Sequence, residues 1–302
     1  MSAPLSAPIS TRRLRGPAGL CAACGSVALR TWLEVSRFTY LECADCDLVS
    51  LRSDQVRPPQ SIYTSDYFEA GSDAGYTNYM ADEPTHRLNA RWHLARMRRR
   101  GIRAPGLLLD IGCAGGFFMS EAAAQGWTVY GVDVSPWSRE QVRSRFGFDV
   151  FDSVESASAA IGRPVDAVTA FQVLEHVPDI RSTLVDIRLA LKTGGALMVE
   201  TWDRSSSTSK IMGGSWQQLS PPSVVHLFDS NSLGGLLLKS GFQPARLRPM
   251  RKFLSAAWAA GLVASKIGAP SLQKLASTTL LRRIPIPYFL DDLAYLSTTA
   301  DG

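Results

Sequence analysis

Leu107-Leu-Leu-Asp-Ile-Gly-Cys-Ala-Gly-Gly-Phe-Phe118 is the stretch that decides the fold. A short apolar run ends at Asp110, a glycine turn follows, and Met119 to Gln125 is rich in helix-forming Ala and Glu. That order predicts a buried parallel strand, a tight turn and a crossover helix. Gly112, Gly115 and Gly116 let the backbone turn sharply and leave room for a ligand. The helix N-terminus beside them offers free N–H groups to an anionic group. A second apolar run, Val129-Tyr-Gly-Val-Asp133, also ends in a carboxylate. A right-handed crossover sets Asp133 beside the end of the first strand, where it can accept hydrogen bonds from both ribose hydroxyls of a nucleoside cofactor.

Outward from this centre, apolar runs and helical segments alternate. Leu107–Asp110, Val129–Val132, Asp149–Phe151, Ala167–Phe171 and Ala196–Glu200 read as strands. Phe117–Gln125, Ser138–Phe146, Ser153–Ile161, Ile180–Leu191 and Ser230–Ser240 read as helices, and Lys192-Thr-Gly-Gly195 as a helix stop. The alternation predicts an α/β fold, a doubly wound and mostly parallel sheet covered by helices on both faces. Gly241–Arg248 and Asp292–Thr299 add a sixth and a seventh strand. An insertion at 250–287, with Trp258, Leu262, Val263 and Ile267 among its apolar residues, has a helical pattern.

Upstream, Cys21-x-x-Cys24 and Cys43-x-x-Cys46 bracket a hairpin-length segment rich in Trp, Val, Phe, Thr and Tyr. Two such knuckles predict a zinc ribbon over 21–51, with four thiolates on a tetrahedral ion and no position open for water. Two disulfides are the alternative. The first residues carry no apolar core of a secretion signal, which predicts a reducing, cytoplasmic setting and argues for the metal. Residues 1–20, rich in Ser, Pro, Ala and Arg, are expected to form a disordered tail. Residues 52–105 are expected to be a linker and a helical lid. Pro84 to Arg100 has Leu88, Trp92, Ala95 and Met97 on or near one face. The domain of 106–302 follows.

Of the 302 residues, 45% are apolar and 20% charged, the balance of a soluble globular protein, with a net charge of +5. No apolar run is long enough for a membrane span. The cluster Arg96, Arg98, Arg99, Arg100 and Arg103 reads as a solvated helix face rather than a nucleic-acid surface, so no specific nucleic acid is expected. Cys113 is a small residue that fits the glycine turn, without chemistry of its own.

The order D-x-G-x-x-G-G, with an acid before the first glycine, resembles motif I of the class I S-adenosylmethionine (SAM) methyltransferases. Ala114 stands where their middle glycine usually lies. Val165-Asp-Ala-Val-Thr-Ala-Phe-Gln-Val-Leu-Glu-His-Val-Pro-Asp179 resembles the strand-four motif of the small-molecule members. Pro221-Pro-Ser-Val-Val-His226-Leu-Phe228, followed by Ser230 to Phe242, resembles the ending of many bacterial methyltransferases. The layout as a whole resembles zinc-ribbon enzymes of bacterial polysaccharide, sugar and secondary-metabolite pathways. Their sugar C-methylating members carry an acid before that histidine, where this chain has Val225.

The resemblance implies a seven-stranded Rossmann-like domain that uses SAM, with a structural Zn2+ in the ribbon. It implies that Asp110, Gly112, Cys113, Ala114 and Gly116 hold the methionine part, and Asp133 with Val134 the ribose. Asp152 and Ser153 would meet the adenine edge, and Gln172 and Val173 would line the methionine and the acceptor. Tyr63, Tyr67, Tyr76 and Tyr79 would fold over the cleft as a lid, or simply pack. Glu175-His176 could be an acid/base pair, but the resemblance implies that this dipeptide is largely architectural. His226 is the candidate catalytic base, because imidazole titrates near neutrality; bracing its loop is the other role open to it. The implied reaction is methyl transfer to a small acceptor, such as a sugar, a polysaccharide precursor or a secondary metabolite, free or joined to a sugar or lipid carrier. The rival readings are an RNA or protein methyltransferase docking through the ribbon and Arg96–Arg103, and a catalytically silent SAM-binding scaffold.

Overall fold

The computed structural model describes residues 19–69, 78–248, 252–260, 279–288 and 292–299. The expected tail up to residue 18, Tyr76 of the expected lid, and Leu262, Val263 and Ile267 lie outside the described residues.

The ribbon comprises β1 (Leu29–Val35), β2 (Phe38–Cys43) and β3 (Val49–Leu51), paired antiparallel. The short helix α1 (Ser65–Glu69) leads towards α2 (Glu83–Arg99). The buried stripe of α2 is Ala90, His93, Leu94 and Met97, at helical spacing, rather than the stripe through Trp92 that apolar character alone suggests. Its last turn holds Arg96, Arg98 and Arg99, where cations meet the negative end of the helix dipole.

The sheet then builds in chain order: β4 (Gly106–Ile111), α3 (Phe117–Ala123), β5 (Trp127–Val132), α4 (Pro136–Phe146), β6 (Val150–Phe151), α5 (Val154–Ile161), β7 (Val165–Phe171), α6 (Ile180–Ala190) and β8 (Leu191–Trp202). β8 begins directly after α6, so Lys192–Gly195 is strand rather than the expected helix stop. After β8 come α7 (Ser207–Met212), β9 (His226–Leu227), α8 (Ser230–Lys239), β10 (Phe242–Leu247), β11 (Lys252–Ser255), β12 (Pro285–Tyr288) and β13 (Asp292–Thr299). The main sheet has seven strands in the order β10-β13-β8-β7-β4-β5-β6. It is parallel from β8 to β6, and β13 runs antiparallel between β8 and β10.

Side chains on β4 go alternately to two cores. Leu107, Leu109 and Ile111 pack with residues of α5, α6 and α8, whereas Leu108 packs with residues of α2, α3 and α4. Both faces are covered, which is why β4 reads as a continuous apolar run. Caps set where the helices start. Ser135, Ser153, Asp179 and Asp229 accept backbone N–H bonds at the N-termini of α4, α5, α6 and α8.

Two features depart from the expected layout. The insertion is not helical throughout: its ends, β11 and β12, form an antiparallel hairpin, with a helical turn at Thr279–Arg282 before β12. The ribbon is also not an independent module. β9, from the distal part of the chain, completes its sheet in the order β1-β2-β3-β9. Leu51 N–H donates to Val225 O at 2.7 Å and Tyr40 Oη–H to Val224 O at 2.6 Å. A third core, with Tyr40, Val49, Leu51, Trp216, Val225 and Leu227, seals that junction.

Candidate active site and metal centre

β4 diverges from its neighbours at the point where β5 lies on one side and β7 on the other. That is the switch point where open α/β sheets bind ligands. Gly112 has φ +68°, and a Cβ there would lie 2.4 Å from Val173 Cγ2. Glycine is required both by conformation and by this close approach. Ala114 takes φ +46° without being glycine. The turn expected from a middle glycine therefore persists at the cost of local strain.

Asp133 is 6% exposed, and its two oxygens accept from Ala114 N–H and Ser135 N–H, each at 2.9 Å. Each oxygen keeps a second lone pair for an incoming hydroxyl. Burial raises its pKa, against the hydrogen bonds from Ser135 and Ala114. Asp110 is buried below the turn and accepts from Thr169 Oγ1–H at 2.6 Å; burial pushes its carboxyl up to about 7.

An open cleft of about 120 Å³ lies beneath the turn, lined by Tyr79, His86, Asn89, His93, Asp110, Gly112, Cys113, Phe117 and Phe171 among others. His93 stacks on Phe171 at 4.0 Å, and its Nδ1 is buried without a hydrogen-bond partner among the described residues. Cys113 is buried, its thiol pushed up strongly by burial, and Gly131 leaves room for its sulfur. Gln172 and Val173 follow β7 at the cleft, with Gln172 at φ +57°. Val134 is half-buried after β5. Asp152 and Ser153 are exposed after β6, where Ser153 also caps α5. The glycine turn, Asp133, Val134 and the β7 turn thus meet at one edge of the sheet.

A buried charge cluster lies near the carboxyl end of β8. Glu200, fully buried on β8, accepts from Lys252 Nζ at 2.6 Å, and Lys252 also reaches Asp292 at 2.8 Å. His93 Nε2 is 3.7 Å and Arg96 3.9 Å from Glu200. Arg96 thus faces the protein interior, whereas Arg98, Arg99 and Arg100 are exposed. Lys252 stood in the insertion and His93 off the expected stripe, so no local pattern marked either of them.

His226 is not among the residues that line the cleft. It is a strand residue, 1% exposed, at the junction with the ribbon. Its Nε2–H donates to Val177 O at 3.0 Å, which leaves Nδ1 to accept from Ser50 Oγ–H at 2.9 Å. Burial lowers its pKa to about 4. Both nitrogens are engaged, which is the arrangement of the loop brace.

Tyr63 meets Tyr67 edge-on at 4.8 Å and His176 at 5.8 Å, and Phe68 stacks on Trp137 at 4.4 Å. Tyr79 packs on His86 at 4.2 Å within the cleft wall. Of these residues Tyr79 lines the cleft, whereas Tyr63 lies beside His176.

Cys21, Cys24, Cys43 and Cys46 have their sulfurs within 4.8 Å of one another, and all are free thiols. The Cys21–Cys46 and Cys24–Cys43 sulfurs are 3.4 and 3.6 Å apart, near the ~3.8 Å edge of a tetrahedron with Zn–S bonds of about 2.3 Å. Gly25 and Asp47, each just past a knuckle, both take positive φ, and their N–H groups bond back to Cys21 O and Cys43 O. The donor set is that of a closed structural site.

A family model described as a methyltransferase domain matches residues 82–247, just over half of the chain. A ubiquinone biosynthesis O-methyltransferase of Cereibacter sphaeroides is 29% identical over 205 residues, covering 61% of this chain and 83% of that one. One from Escherichia coli is 31% identical over 137 residues, 42% of this chain and 55% of that one. Among solved structures, a SAM-dependent methyltransferase from Archaeoglobus fulgidus aligns with a TM-score of 0.48 and 16% identity over 70% of this chain and 94% of that one. The magnesium protoporphyrin IX methyltransferase of Synechocystis, with bound SAH, aligns at 0.49 and 15% over 80% and 99%. The matched model spans the glycine turn, Asp133 and the β7 turn whose convergence is described above: the chain belongs to the class I SAM-dependent methyltransferases.

Proposed function

We propose that the chain methylates a hydroxyl of a ring-shaped small molecule, such as a sugar, a polysaccharide precursor or a secondary metabolite. The observation that carries this reading is the cluster of aromatic rings at the carboxyl ends of β7 and β8, where Tyr63 and Trp202 both meet His176 edge-on. Flat aromatic walls pack against the faces of rings and exclude water, and the relatives named above are O-methyltransferases. Methyl transfer from a sulfonium is an in-line displacement, so positioning and desolvation supply most of the catalysis.

In this reading the glycine turn and Gln172–Val173 hold the methionine part of SAM, Asp133 the ribose, and Asp152 with Ser153 the adenine edge. SAM supplies the electrophilic methyl group. Tyr63, Tyr67 and Phe68 cover the acceptor, and the four thiols hold a structural Zn2+ in a reducing, cytoplasmic setting. An RNA- or protein-docking role is less well supported, since Arg96 is turned inward to Glu200 and the Arg248 carbonyl. Among the described residues no helix is long and apolar enough to cross a membrane.

Turnover of labelled SAM with nucleotide sugars, phenols, total RNA and amines tests the reading. Methylation of oxygen on ring acceptors is expected. Label appearing only in RNA or in amines refutes it.

A further inference from the structure

We propose that His176 is the proton acceptor of the transfer, its Nε2 taking the proton of the acceptor hydroxyl as that oxygen is methylated. The inference rests on the hydroxyl reading above and assigns the base to a residue whose motif reads as architectural.

Three observations meet at this ring. The first is its tautomer. His176 Nδ1 lies 2.7 Å from Ser223 O, and a carbonyl can only accept, so Nδ1 carries the proton and Nε2 keeps its lone pair. The second is its freedom. Nε2 takes no hydrogen bond among the described residues and, in a half-buried side chain, keeps contact with accessible space. The other histidines differ: His226 has both nitrogens engaged, His93 faces Glu200, and His86 is stacked between Tyr79 and Phe117.

The third is its place. His176 stands three residues past Val173, which touches the glycine turn, and Trp202 at the end of β8 meets the ring edge-on at 5.7 Å. Ser223, which orients the ring, is itself buried. Its Oγ–H donates to Ser220 O at 2.6 Å, and the neighbouring Val225 N–H donates to Glu175 O at 2.7 Å. The ring is thus held in one orientation between Tyr63 and Trp202.

The step balances. The acceptor oxygen forms its bond to the methyl carbon, the carbon–sulfur bond breaks, and the electron pair stays on sulfur. The hydroxyl proton passes to Nε2, and the imidazolium later returns it to water. The positive charge lost at the sulfonium reappears on His176, so the water-poor site gains no net charge. Burial lowers the ring to about 4, which keeps it neutral and able to accept throughout the neutral range and makes its proton easy to release.

The test compares His176→Asn with wild type, using UDP-glucose and 3,4-dihydroxybenzoate as acceptor probes. An asparagine amide N–H can replace the Nδ1–H donor towards Ser223 O but offers no base. SAM affinity and thermal stability should stay within about twofold and a few degrees, while turnover falls by about 10²–10⁴ at pH 7. The residual rate should climb about tenfold per pH unit, since the acceptor must then ionise without help. Added imidazole should restore part of the activity of His176→Ala, and 15N NMR of the wild type should show His176 protonated at Nδ1 only.

Wild-type turnover in His176→Asn, a parallel loss of SAM affinity, or protonation at Nε2 overturns the proposal. A wild type that methylates neither probe nor any other hydroxyl overturns the hydroxyl reading and with it the need for a base. A wild type that turns the probes over beside a fully active His176→Asn overturns the base alone.

Discussion

Replacing His226 by alanine separates a brace from a catalytic group, and its cost can be worked out beforehand. The ring is 1% exposed and makes two hydrogen bonds, to Ser50 and to the Val177 carbonyl, both left without their partner in the variant. Two lost bonds plus the cavity of a buried ring amount to about 3–5 kcal/mol at pH 7.5. The pH dependence is more diagnostic. Burial holds the folded-state pKa at about 4 against 6.5 for an exposed histidine, so the unfolded chain binds the extra proton. The neutral ring's contribution is therefore complete above about pH 6.5 and is lost as the pH falls towards 4. At pH 5 it has shrunk by ~2 kcal/mol, and at pH 4 by ~3 kcal/mol.

Asp110, at about 7, and Glu175, at about 8, have raised folded-state values and oppose this trend in the wild type. They are common to both proteins and cancel in the difference. Urea denaturation of wild type and His226→Ala at pH 7.5 and 5.0 should thus show the gap between them narrowing by ~2 kcal/mol. A gap that is under 1 kcal/mol at pH 7.5, or that does not change with pH, refutes the buried, doubly bonded ring.

Two further outcomes are expected. Asp133→Ala should weaken SAM binding more than tenfold by calorimetry, because charge-assisted bonds to ribose, each worth roughly 1.5–3 kcal/mol, are lost; unchanged affinity in a folded variant removes Asp133 from the site. Elemental analysis should find one zinc per chain, lost in Cys21→Ser or Cys43→Ser together with ribbon structure and the β3–β9 pairing; metal-free protein with a folded ribbon refutes the metal centre.

Local sequence sufficed wherever one short segment carries both the element and its reason. The run Leu107–Asp110, the glycine turn and the carboxylates at strand ends specify a parallel sheet with its ligand edge, because strand period, turn conformation and charge placement are all local properties. The two C-x-x-C knuckles are legible on the same ground, since each closes within a few residues.

What the tertiary structure alone decided are pairings between distant residues. No spacing announces that β9 closes the ribbon sheet, that Lys252 reaches Glu200 and Asp292, or that His93 rather than Trp92 faces the sheet. The two histidines show the limit most clearly. His226 and His176 both lie in segments that follow a strand of the main sheet, and imidazole chemistry is the same in both. Ser50, 176 residues away in the chain, engages one ring from the far side, while the Ser223 carbonyl holds the other and leaves a nitrogen open. A histidine's role follows from which of its nitrogens the fold has already bonded, and that is set by packing between segments that the sequence keeps apart.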